Sequence, residues 1–427
     1  MNVKSKHVKT NKTYFKLGLM VLILTLFMTS CSFTEKIITS TDSGAQAWKL
    51  ITDSAKRTEV SLCVDANDEK LADWLEGDFA EMVKTEYNVT VKVTRQTMAK
   101  TFEKLAEEAR LEVTNSMYDV IFLEGDNFQK AMANDYLYGP FTDQVPSFTS
   151  YLNKQDLEMR FDEGQTINGY EVPFARTQLY MIYDENYFYE LPESNEDLIE
   201  LMRSFKGQFT YPDPRSSKEG QAFIVSLMLP YLDVEKLNSG EYDKATLEAE
   251  VKPVLNQLKQ LKSSQYQNGQ SFPESIEALD ALYRNGDVIF SMSLANNYAT
   301  DQLRAYEYPE ETNVFVIPGG STGYTDYVGI AKNATNKSAA LVVINALLSP
   351  DGQAGIYEPK NIGKLPVYDL TQTPADAFSA LKSVKLKATT LDYTELLGMR
   401  FSEIDPSMRA IMVDLWTTYV LNDATGE

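Results

Sequence analysis

The chain has 427 residues, 61 acidic and 40 basic, and its formal net charge is −21 at pH 7. This length exceeds that of one ordinary domain and favours two lobes or domains. The acidic balance argues against a nucleic-acid-binding protein, because such proteins need basic patches that neutralise phosphates.

The first predicted element is an N-terminal signal, in which a lysine-rich stretch precedes the apolar run "LGLMVLILTLFM" at 17–28. That run is too short to span a bilayer and has the length of a signal-peptide core. Ser30 before Cys31 resembles the lipobox of bacterial lipoproteins, in which the cysteine receives the lipid. We predict a lipoprotein signal peptide at 1–30, lipidation of Cys31 and a polar tether at 31–44. A plain secretory signal is the alternative.

Removal of residues 1–30 would also remove His7, the single histidine of the chain. The remaining chain then lacks the imidazole that a Ser-His-Asp triad, a common zinc site or histidine acid–base catalysis requires. Lipidation of Cys31 would leave Cys63 without a disulfide partner, and the apolar run "VSLCV" predicts a buried structural thiol there. We therefore expect no metal, no cofactor and no enzymatic activity.

The chain after the tether alternates strand-like and helix-like segments. "EVSLCV" at 59–64, "NVTVKV" at 88–93 and "YDVIFL" at 118–123 have strand character, and a helix is predicted after each, the first at 67–87. This order predicts a parallel sheet with helices on both faces. Ligands bind outside the carboxyl ends of such strands, so the loops "DANDEK" and "EGDNF" are candidates for ligand contact.

A second sheet-like region begins with "GYEVPFARTQLYMIYDENYF" at 169–188. "GQFTYPDP" at 207–214 is predicted to be a strand followed by a turn. Further strands are predicted in "GDVIFSMS", "TNVFVIPGG" and "TDYVGIAKN". Helices are predicted at 217–229, 244–262, 273–284 and 337–349.

Several segments together resemble the extracellular solute-binding proteins of bacterial ABC importers. They are "YDVIFLEGDNF", "GYEVPFARTQLYMIYDENYF", "GDVIFSMS" and "YVGIAKNATNKSAALVVINALLSPDGQ", in this order. Within that family the chain is similar to the YnjB-like branch through "EGDNF", "TYPDPRSSKEGQAF" and "SFPESIEALDALY".

The resemblance implies a two-lobe α/β periplasmic-binding-protein fold of type II. Each lobe would be a mostly parallel sheet flanked by helices, with the ligand cleft between the lobes. By analogy, lobe 1 would comprise 45–175 and 316–350, and lobe 2 would comprise 178–312 and 352–427.

Polar residues beside the predicted strand ends and on the segment that crosses between the lobes are candidate ligand contacts. For Asp65, Asn67, Ser293 and Asn296 capping of the following helix is an equal alternative, whereas for Glu124 and Asn127 ligand contact is favoured. Arg176 either lies on the cleft floor or pairs with an acid. A tyrosine after 325 either stacks on a planar or cationic ligand or lies at the edge of the core. The predicted ligand contacts are Asp65, Asn67, Glu124, Asn127, Thr177, Gln178, Asp213, Ser216, Ser217, Ser293, Asn296 and Tyr327.

The turn "TYPDPRSSKEGQAF" has two adjacent serines but no histidine to activate them, and the spacing to Lys218 is not Ser-x-x-Lys. Pro212 and Pro214 stiffen the approach to a helix that a serine can cap. Our hypothesis is that Asp213, Ser216 and Ser217 hold the ligand opposite "EGDNF". The alternative is a cap alone.

The resemblance implies a lipid-anchored, extracytoplasmic and monomeric binding protein that delivers a small solute to the membrane subunits of an ABC importer. Carboxylates and tyrosines in the candidate loops favour an organic cation such as thiamine or a polyamine. Iron is disfavoured, because the chain has no adjacent tyrosines and no histidine beyond residue 30. The alternative function is an exported carboxylate-based hydrolase or a ligand sensor on the same scaffold.

Overall fold

The computed structural model describes residues 44–123 and 125–422. The predicted signal peptide, Cys31, nearly all of the tether and Glu124 lie outside the described residues. The strands are β1 (Glu59–Val64), β2 (Thr90–Arg95), β3 (Val120–Leu123), β4 (Leu137–Tyr138), β5 (Phe161–Asp162), β6 (Gln165–Thr166), β7 (Glu171–Arg176), β8 (Tyr180–Asp184), β9 (Phe290–Ser293), β10 (Thr312–Phe315) and β11 (Thr325–Ala331).

Helices occupy most of the connections between these strands. The first group is α1 (Gly44–Ala55), α2 (Glu69–Glu76), α3 (Asp78–Tyr87), α4 (Met98–Arg110), α5 (Asn127–Ala133), α6 (Pro146–Tyr151), α7 (Asn195–Ser204) and α8 (Lys218–Met228). The second group is α9 (Val234–Ser239), α10 (Lys244–Lys262), α11 (Ile276–Arg284), α12 (Tyr298–Arg304), α13 (Lys337–Leu348), α14 (Pro350–Tyr357), α15 (Phe378–Ser383), α16 (Tyr393–Gly398) and α17 (Pro406–Trp416).

The helix predicted at 67–87 is interrupted. It forms as α2 and α3, which meet at Gly77, where the Gly77 amide donates to the Asp73 carbonyl. Glycine is a poor residue in a helix interior, so the chain ends one helix there and starts the next. The Asp68 side chain accepts the Leu71 amide and caps α2, which fixes the turn that follows β1.

The larger sheet has the strand order β2-β1-β3-β11-β4, and β7 also pairs with β11. Strands β1, β2 and β3 are parallel, with Glu59 opposite Thr90 and Leu62 opposite Val120. Strand β11 runs antiparallel to β3, β4 and β7. The parallel part of the sheet agrees with the prediction, and it brings the carboxyl ends of β1 and β3 to one edge.

The second sheet corrects the prediction that each lobe has a mostly parallel sheet. Its order is β10-β8-β9, and both ladders are antiparallel. The strand predicted in "GQFTYPDP" does not form; this segment instead runs beside the sheet, with the Ile289 amide donating to the Gln208 carbonyl. Pro212 and Pro214 have no amide hydrogen for a ladder, which accounts for the missing strand.

The chain passes from the larger sheet to the second sheet between Arg176, which ends β7, and Tyr180, which begins β8. It returns between Phe315, which ends β10, and Thr325, which begins β11. These passages lie near the predicted crossings. The Cys63 thiol is fully buried on β1 with its sulfur 3.1 Å from Thr101 Oγ1, which confirms a structural thiol.

In the described part of the chain, no single helix has the length and apolarity to cross a membrane. The pair α13 and α14, bent by 64°, passes that test only when the two helices are taken together and only by length and composition.

Candidate functional site

A group of charged side chains meets beside the carboxyl end of β1. The Lys364 ammonium lies 2.6 Å from Asp326 Oδ2 and 3.3 Å from Asp68 Oδ2. All three side chains are partly accessible: Lys364 is 22% exposed, Asp68 19% and Asp326 13%. We call Asp68, Lys364 and Asp326 the cleft cluster. Asp68 caps α2, Asp326 is the second residue of β11, and Lys364 lies on the loop after α14.

Asp65 and Asn67 shape the turn that presents Asp68. Asp65 Oδ1 accepts the amide and the side-chain NH₂ of Asn67, both at 2.8 Å. Asp65 Oδ2 accepts the Met98 amide at the start of α4, at 3.3 Å. The Asp65 carboxylate is therefore used largely by its own turn, whereas the Asn67 side chain is exposed at the edge of the sheet.

The loop that carries Lys364 packs against the turn between β9 and α12. Gly363 has φ +70°, and a Cβ at this position would lie 2.2 Å from Asn297 Nδ2. The same Asn297 nitrogen donates to the Gly363 carbonyl at 3.5 Å. Only glycine allows this close approach at that backbone conformation. The cleft cluster is thus adjacent to the second sheet.

Asn296, in the turn between β9 and α12, is 6% exposed. Within the described residues, neither its Oδ1 nor its Nδ2 has a hydrogen-bond partner. An unpaired buried amide costs about 1–3 kcal/mol, so such a group needs an explanation. Ser293 was predicted together with Asn296, but its side chain has a hydrogen-bond partner. Ser293 Oγ accepts the Ala295 amide at 3.0 Å and stabilises the turn.

An ion pair joins helices that follow strands of different sheets. Lys70 Nζ on α2 lies 3.9 Å from Asp301 Oδ2 on α12. Helix α2 follows β1 of the larger sheet, and α12 follows β9 of the second. Both side chains are exposed, so the pair contributes at most about 1 kcal/mol. The Lys70–Asp301 pair is informative about position, because it shows that α2 and α12 face each other beside the cleft cluster.

The residues on the crossing segments mainly hold those segments together. Thr177 Oγ1 accepts the Tyr324 amide at 2.9 Å. Gln178 Nε2 donates to Ser321 Oγ at 3.1 Å and to the Met399 carbonyl at 3.2 Å. Gln178 Oε1 is buried without a partner among the described residues. These two predicted contacts pin the passages between the sheets.

Tyr327 is 1% exposed, and its hydroxyl donates to the carbonyls of Glu158 and Phe161. Burial on this scale leaves no ring face for stacking in this conformation, so we omit Tyr327 from the proposed site. Asn127 begins α5 and is half-buried, next to Gly125, whose φ is +55°. Glu124 lies outside the described residues, so no contact is assigned to it.

The turn at 213–217 forms hydrogen bonds within itself, with the start of α8 and with the segment at 273–274. Ser217 Oγ accepts the Gly220 amide and caps α8. Ser216 Oγ donates to the Glu274 carbonyl at 2.7 Å. Arg215 NH2 lies 2.5 Å from Asp213 Oδ2, and although burial opposes it, this partner lowers the pKa of Asp213. With Glu274 and Ser275 the turn lines an open surface depression. Its capping role is therefore present, and its ligand role stays a prediction.

A second charged region lies mostly in the interior, and its members Asp156, Glu163 and Arg409 are 11–17% exposed. Arg176 NH2 lies 2.6 Å from Asp156 Oδ2, and its Nε lies 2.6 Å from Glu158 Oε2. This geometry corresponds to the pairing alternative for Arg176. Arg400 also binds Glu158, and Arg409 binds both Glu163 and Glu403. We call this set of residues, together with Asp162 and Glu171, the buried network.

The buried network contains more carboxyl groups than guanidinium groups, and the pKa values reflect this. Burial, helped by the nearby Glu403 charge, raises the pKa of Asp162 to about 9. Burial also raises the pKa of its neighbour Glu171 well above the ordinary value, and that of Glu403 to about 7. For Glu158, burial is outweighed by Arg400 and Arg176, and the pKa falls to about 2.

Asp162 and Glu171 have environments that alter their ionisation, as paired catalytic carboxyls do. They are 4% and 1% exposed, so a glycoside or ester has no access to them in this conformation. Among residues 44–123 and 125–422, no group of three or more His, Cys, Asp or Glu side chains is arranged to hold a metal ion.

Two of the residues that form the cleft cluster were missed by the sequence reasoning. Asp68 lies inside the inspected loop "DANDEK" and is followed by a helix, so the capping pattern could have identified it. Asp326 directly precedes Tyr327, which was among the predicted contacts. Lys364 had no signal, since the loop after α14 reaches β11 only through the fold.

The two sheets, the passages between them and the facing helices α2 and α12 define a two-lobe α/β periplasmic-binding fold of type II. The sequence profile of the family described as bacterial extracellular solute-binding protein matches residues 78–383. The chain belongs to this family, whose members bind small ligands outside the cytoplasm and act with the membrane components of ABC transporters.

Individual relatives agree with this assignment. The chain is 26% identical over 344 residues to Protein YnjB of Escherichia coli (strain K12), covering 79% of this chain and 87% of that protein. The sugar-binding protein MalE from Xanthomonas citri has a TM-score of 0.64 at 15% identity, covering 86% of this chain and 93% of that one. The spermidine/putrescine-binding protein PotD from Streptococcus pneumoniae has a TM-score of 0.54 at 15% identity, covering 86% and 100%. The structural likenesses show the fold alone.

Proposed function

We propose that this protein is the lipid-anchored substrate-binding component of an ABC importer and that it captures a small organic cation between its two lobes. The observation that carries the cationic class is the cleft cluster, in which two carboxylates face one ammonium. At partly buried positions the attraction between such carboxylates and a cation is stronger than in bulk water. Thiamine and polyamines are the candidates, and the spermidine/putrescine binder PotD shares the fold.

The ligand is held by the cleft cluster together with polar groups next to it. Asn296 supplies an amide that is unpaired in this structure, and Asn67 supplies an exposed one. Lobe 1, at 45–175 and 316–350, and lobe 2, at 178–312 and 352–427, close by a hinge at the crossing segments. The ligand favours closure because it contacts both lobes only in the closed state. Small-angle scattering tests this, since added spermidine should lower the radius of gyration.

Thermal unfolding of the mature chain with thiamine, putrescine, spermidine, maltose and citrate tests the ligand class. A ligand at 100 times its Kd stabilises the folded state by about 2.7 kcal/mol, so a true ligand raises the Tm in a concentration-dependent way. We expect an organic cation to do so and Asp326→Asn to weaken its effect. Stabilisation by maltose or citrate alone would overturn the cationic class, and stabilisation by none of them would count against the proposal. Mass spectrometry of co-purified solute would identify the ligand.

The anchor is tested separately, because it depends on residues before the folded domain. Cys31 is the predicted lipidation site, and the polar tether would leave the mature domain free to reach the importer. Metabolic labelling with an azido fatty acid should mark the wild-type chain and a Ser40→Ala control but not Cys31→Ser. Labelling of Cys31→Ser at the wild-type level would contradict the anchor. Size-exclusion chromatography with light scattering tests the expected monomer.

A further inference from the structure

Lys364 reaches its two carboxylates from a different part of the chain. Asp68 caps α2, and Asp326 lies on β11, so both belong to elements of the larger sheet. Lys364 lies on the loop after α14, which Asn297 holds through Gly363. The lysine is therefore a long side chain inserted from a loop between two carboxylates that the larger sheet positions.

The charge of this arrangement is unbalanced. Two carboxylates against one ammonium leave an excess negative charge in the cleft cluster, and its side chains are 13–22% exposed. The unpaired carboxyls of the buried network, Asp162 and Glu171, are only 4% and 1% exposed, so the cleft cluster is the more accessible of the two groups. A lysine ammonium on a flexible stem is also easy to displace, because it is a point charge without the fixed geometry of a guanidinium.

The neighbouring turn contains a second, independent indication of a ligand. Asn296 directly precedes Asn297 in the chain, and Asn297 contacts Gly363, the residue before Lys364, so the Asn296 amide belongs to the turn that packs against the Lys364 loop. Its Oδ1 and Nδ2 are buried without partners in the described part of the chain. An acceptor and a donor kept side by side and unpaired fit a solute that has a polar group near its cation.

We propose that the Lys364 ammonium is a built-in counter-ion that stands in for the cationic group of the ligand. An organic ammonium enters between Asp68 and Asp326, displaces Lys364, and places a neighbouring polar group against the Asn296 amide. This inference rests on the proposed function and specifies how the site distinguishes an organic ammonium from an inorganic cation. A monovalent inorganic cation is a poor competitor, because it lacks the group that would pair with Asn296.

The counter-ion role makes an unusual prediction for mutagenesis. A tethered group competes with free ligand at an effective concentration in the millimolar range or above. Removal of the lysine should therefore tighten cation binding, whereas removal of a true ligand contact weakens it. We expect Lys364→Met to lower the Kd for spermidine or putrescine about tenfold, as measured by calorimetry, and Asp326→Asn to raise it. Weaker binding by Lys364→Met would overturn the inference.

A test independent of the natural ligand uses Lys364→Ala and n-propylammonium, which replaces the atoms that the substitution removes. We expect n-propylammonium chloride to raise the Tm of Lys364→Ala more than potassium chloride does at equal concentration. Lys360→Ala is the matched control, because Lys360 is 70% exposed and its ammonium lies 3.8 Å from Asp78. The double variant Lys364→Ala with Asp326→Asn should lose the response. Equal responses of Lys364→Ala and Lys360→Ala would overturn the counter-ion role.

These outcomes separate the inference from the proposed function. Rescue by n-propylammonium, with no cation bound by the wild-type chain, would show that the two carboxylates accept an ammonium but would overturn the cationic class of ligand and, with it, the displacement of Lys364. Cation binding by the wild-type chain without rescue of Lys364→Ala would support the proposed function and overturn the counter-ion role.

Discussion

The buried network and the cleft cluster both contain more carboxyls than cations, and they resolve this excess differently. In the buried network, Asp162 and Glu171 retain protons because water cannot reach them, which is why their pKa values are raised. In the cleft cluster, the partly exposed ammonium of Lys364 neutralises part of the charge. The two groups have similar residue types, and the burial of Asp162 and Glu171 distinguishes the structural group from the one that we propose to bind a ligand.

The largest expected effect comes from the removal of one cation, with its two ion pairs, in each region. Arg176→Met leaves Glu158 and Asp156 with fewer partners in the interior and should lower the free energy of unfolding by about 3–5 kcal/mol. Lys364→Met, in the partly exposed cleft cluster, should lower it by only about 1–2 kcal/mol. Urea denaturation measures both, with Arg203→Met as the control, since Arg203 forms an exposed pair with Glu200. Equal losses in the free energy of unfolding for Arg176→Met and Lys364→Met would contradict the difference in burial between the two regions.

The second prediction concerns pH. The folded chain keeps a proton on Asp162 up to about pH 9, whereas an unfolded aspartate releases it near pH 4. The folded state therefore binds more protons between these values, and stability falls as pH rises by about 1.4 kcal/mol per pH unit for each such group. Glu403 adds to this fall up to about pH 7. Glu158 acts in the opposite direction, but only below about pH 4.5.

Asp162→Asn should flatten this dependence, because the amide has no proton to release. Urea titrations between pH 5 and pH 8 should show a shallower fall for Asp162→Asn than for the wild-type chain. Asp376→Asn, at an exposed position, should retain the wild-type slope. If Asp162→Asn and the wild-type chain gave parallel curves, the conclusion that Asp162 retains a proton in the buried network would be wrong.

The third prediction concerns Gly363, in the loop that carries Lys364 of the cleft cluster. Gly363→Ala combines a left-handed backbone with a clash against Asn297, and should cost about 1–2 kcal/mol of backbone strain plus the displacement of the Lys364 loop. Gly240→Ala has a similar φ of +76° and no atom near the added Cβ, so it isolates the backbone strain. Thermal unfolding should show the larger loss for Gly363→Ala, and spermidine affinity should change only there.

The smallest effect lies in the turn at 213–217, outside both regions. Ser217→Ala removes the cap of α8 and should cost about 1 kcal/mol, and Ser216→Ala, which loses one exposed hydrogen bond, should cost less. The double variant also tests the hypothesis that this turn holds the ligand. An unchanged Kd for spermidine would leave the turn with its capping role alone.

The local parts of the fold could be predicted from the sequence, because period and capping are local signals. Strand β1 has the predicted bounds, and the helix predicted after it begins two residues late, at Glu69, and is interrupted at Gly77. The alternation of side chains along a strand could have distinguished Asp326 from Tyr327 in the sequence. Successive strand residues point to opposite faces, so a binding residue at 326 predicts a core residue at 327. The structure has this arrangement.

Other features depended on tertiary structure. Whether Arg176 lies on a cleft floor or pairs with acids depends on where Asp156 and Glu158 fall, and no local pattern fixes that. Lys364 reaches Asp68 and Asp326 because the loop beyond α14 packs on the turn that contains Asn297 and pairs with the end of β7 through Leu365. The antiparallel order of the second sheet likewise arises from pairings between distant strands.

Strand β11 has a consequence for how the chain leaves the cell. It lies between β3 on one side and β4 and β7 on the other, yet it is made after the whole of the second sheet. Until β11 emerges, the larger sheet lacks the strand that joins its two halves, and Leu123 has no Tyr327 to pair with. Closure of so long a loop is slow. We expect the larger sheet to stay incomplete until residues 325–331 have been synthesised, which would favour export of the chain before this sheet has folded.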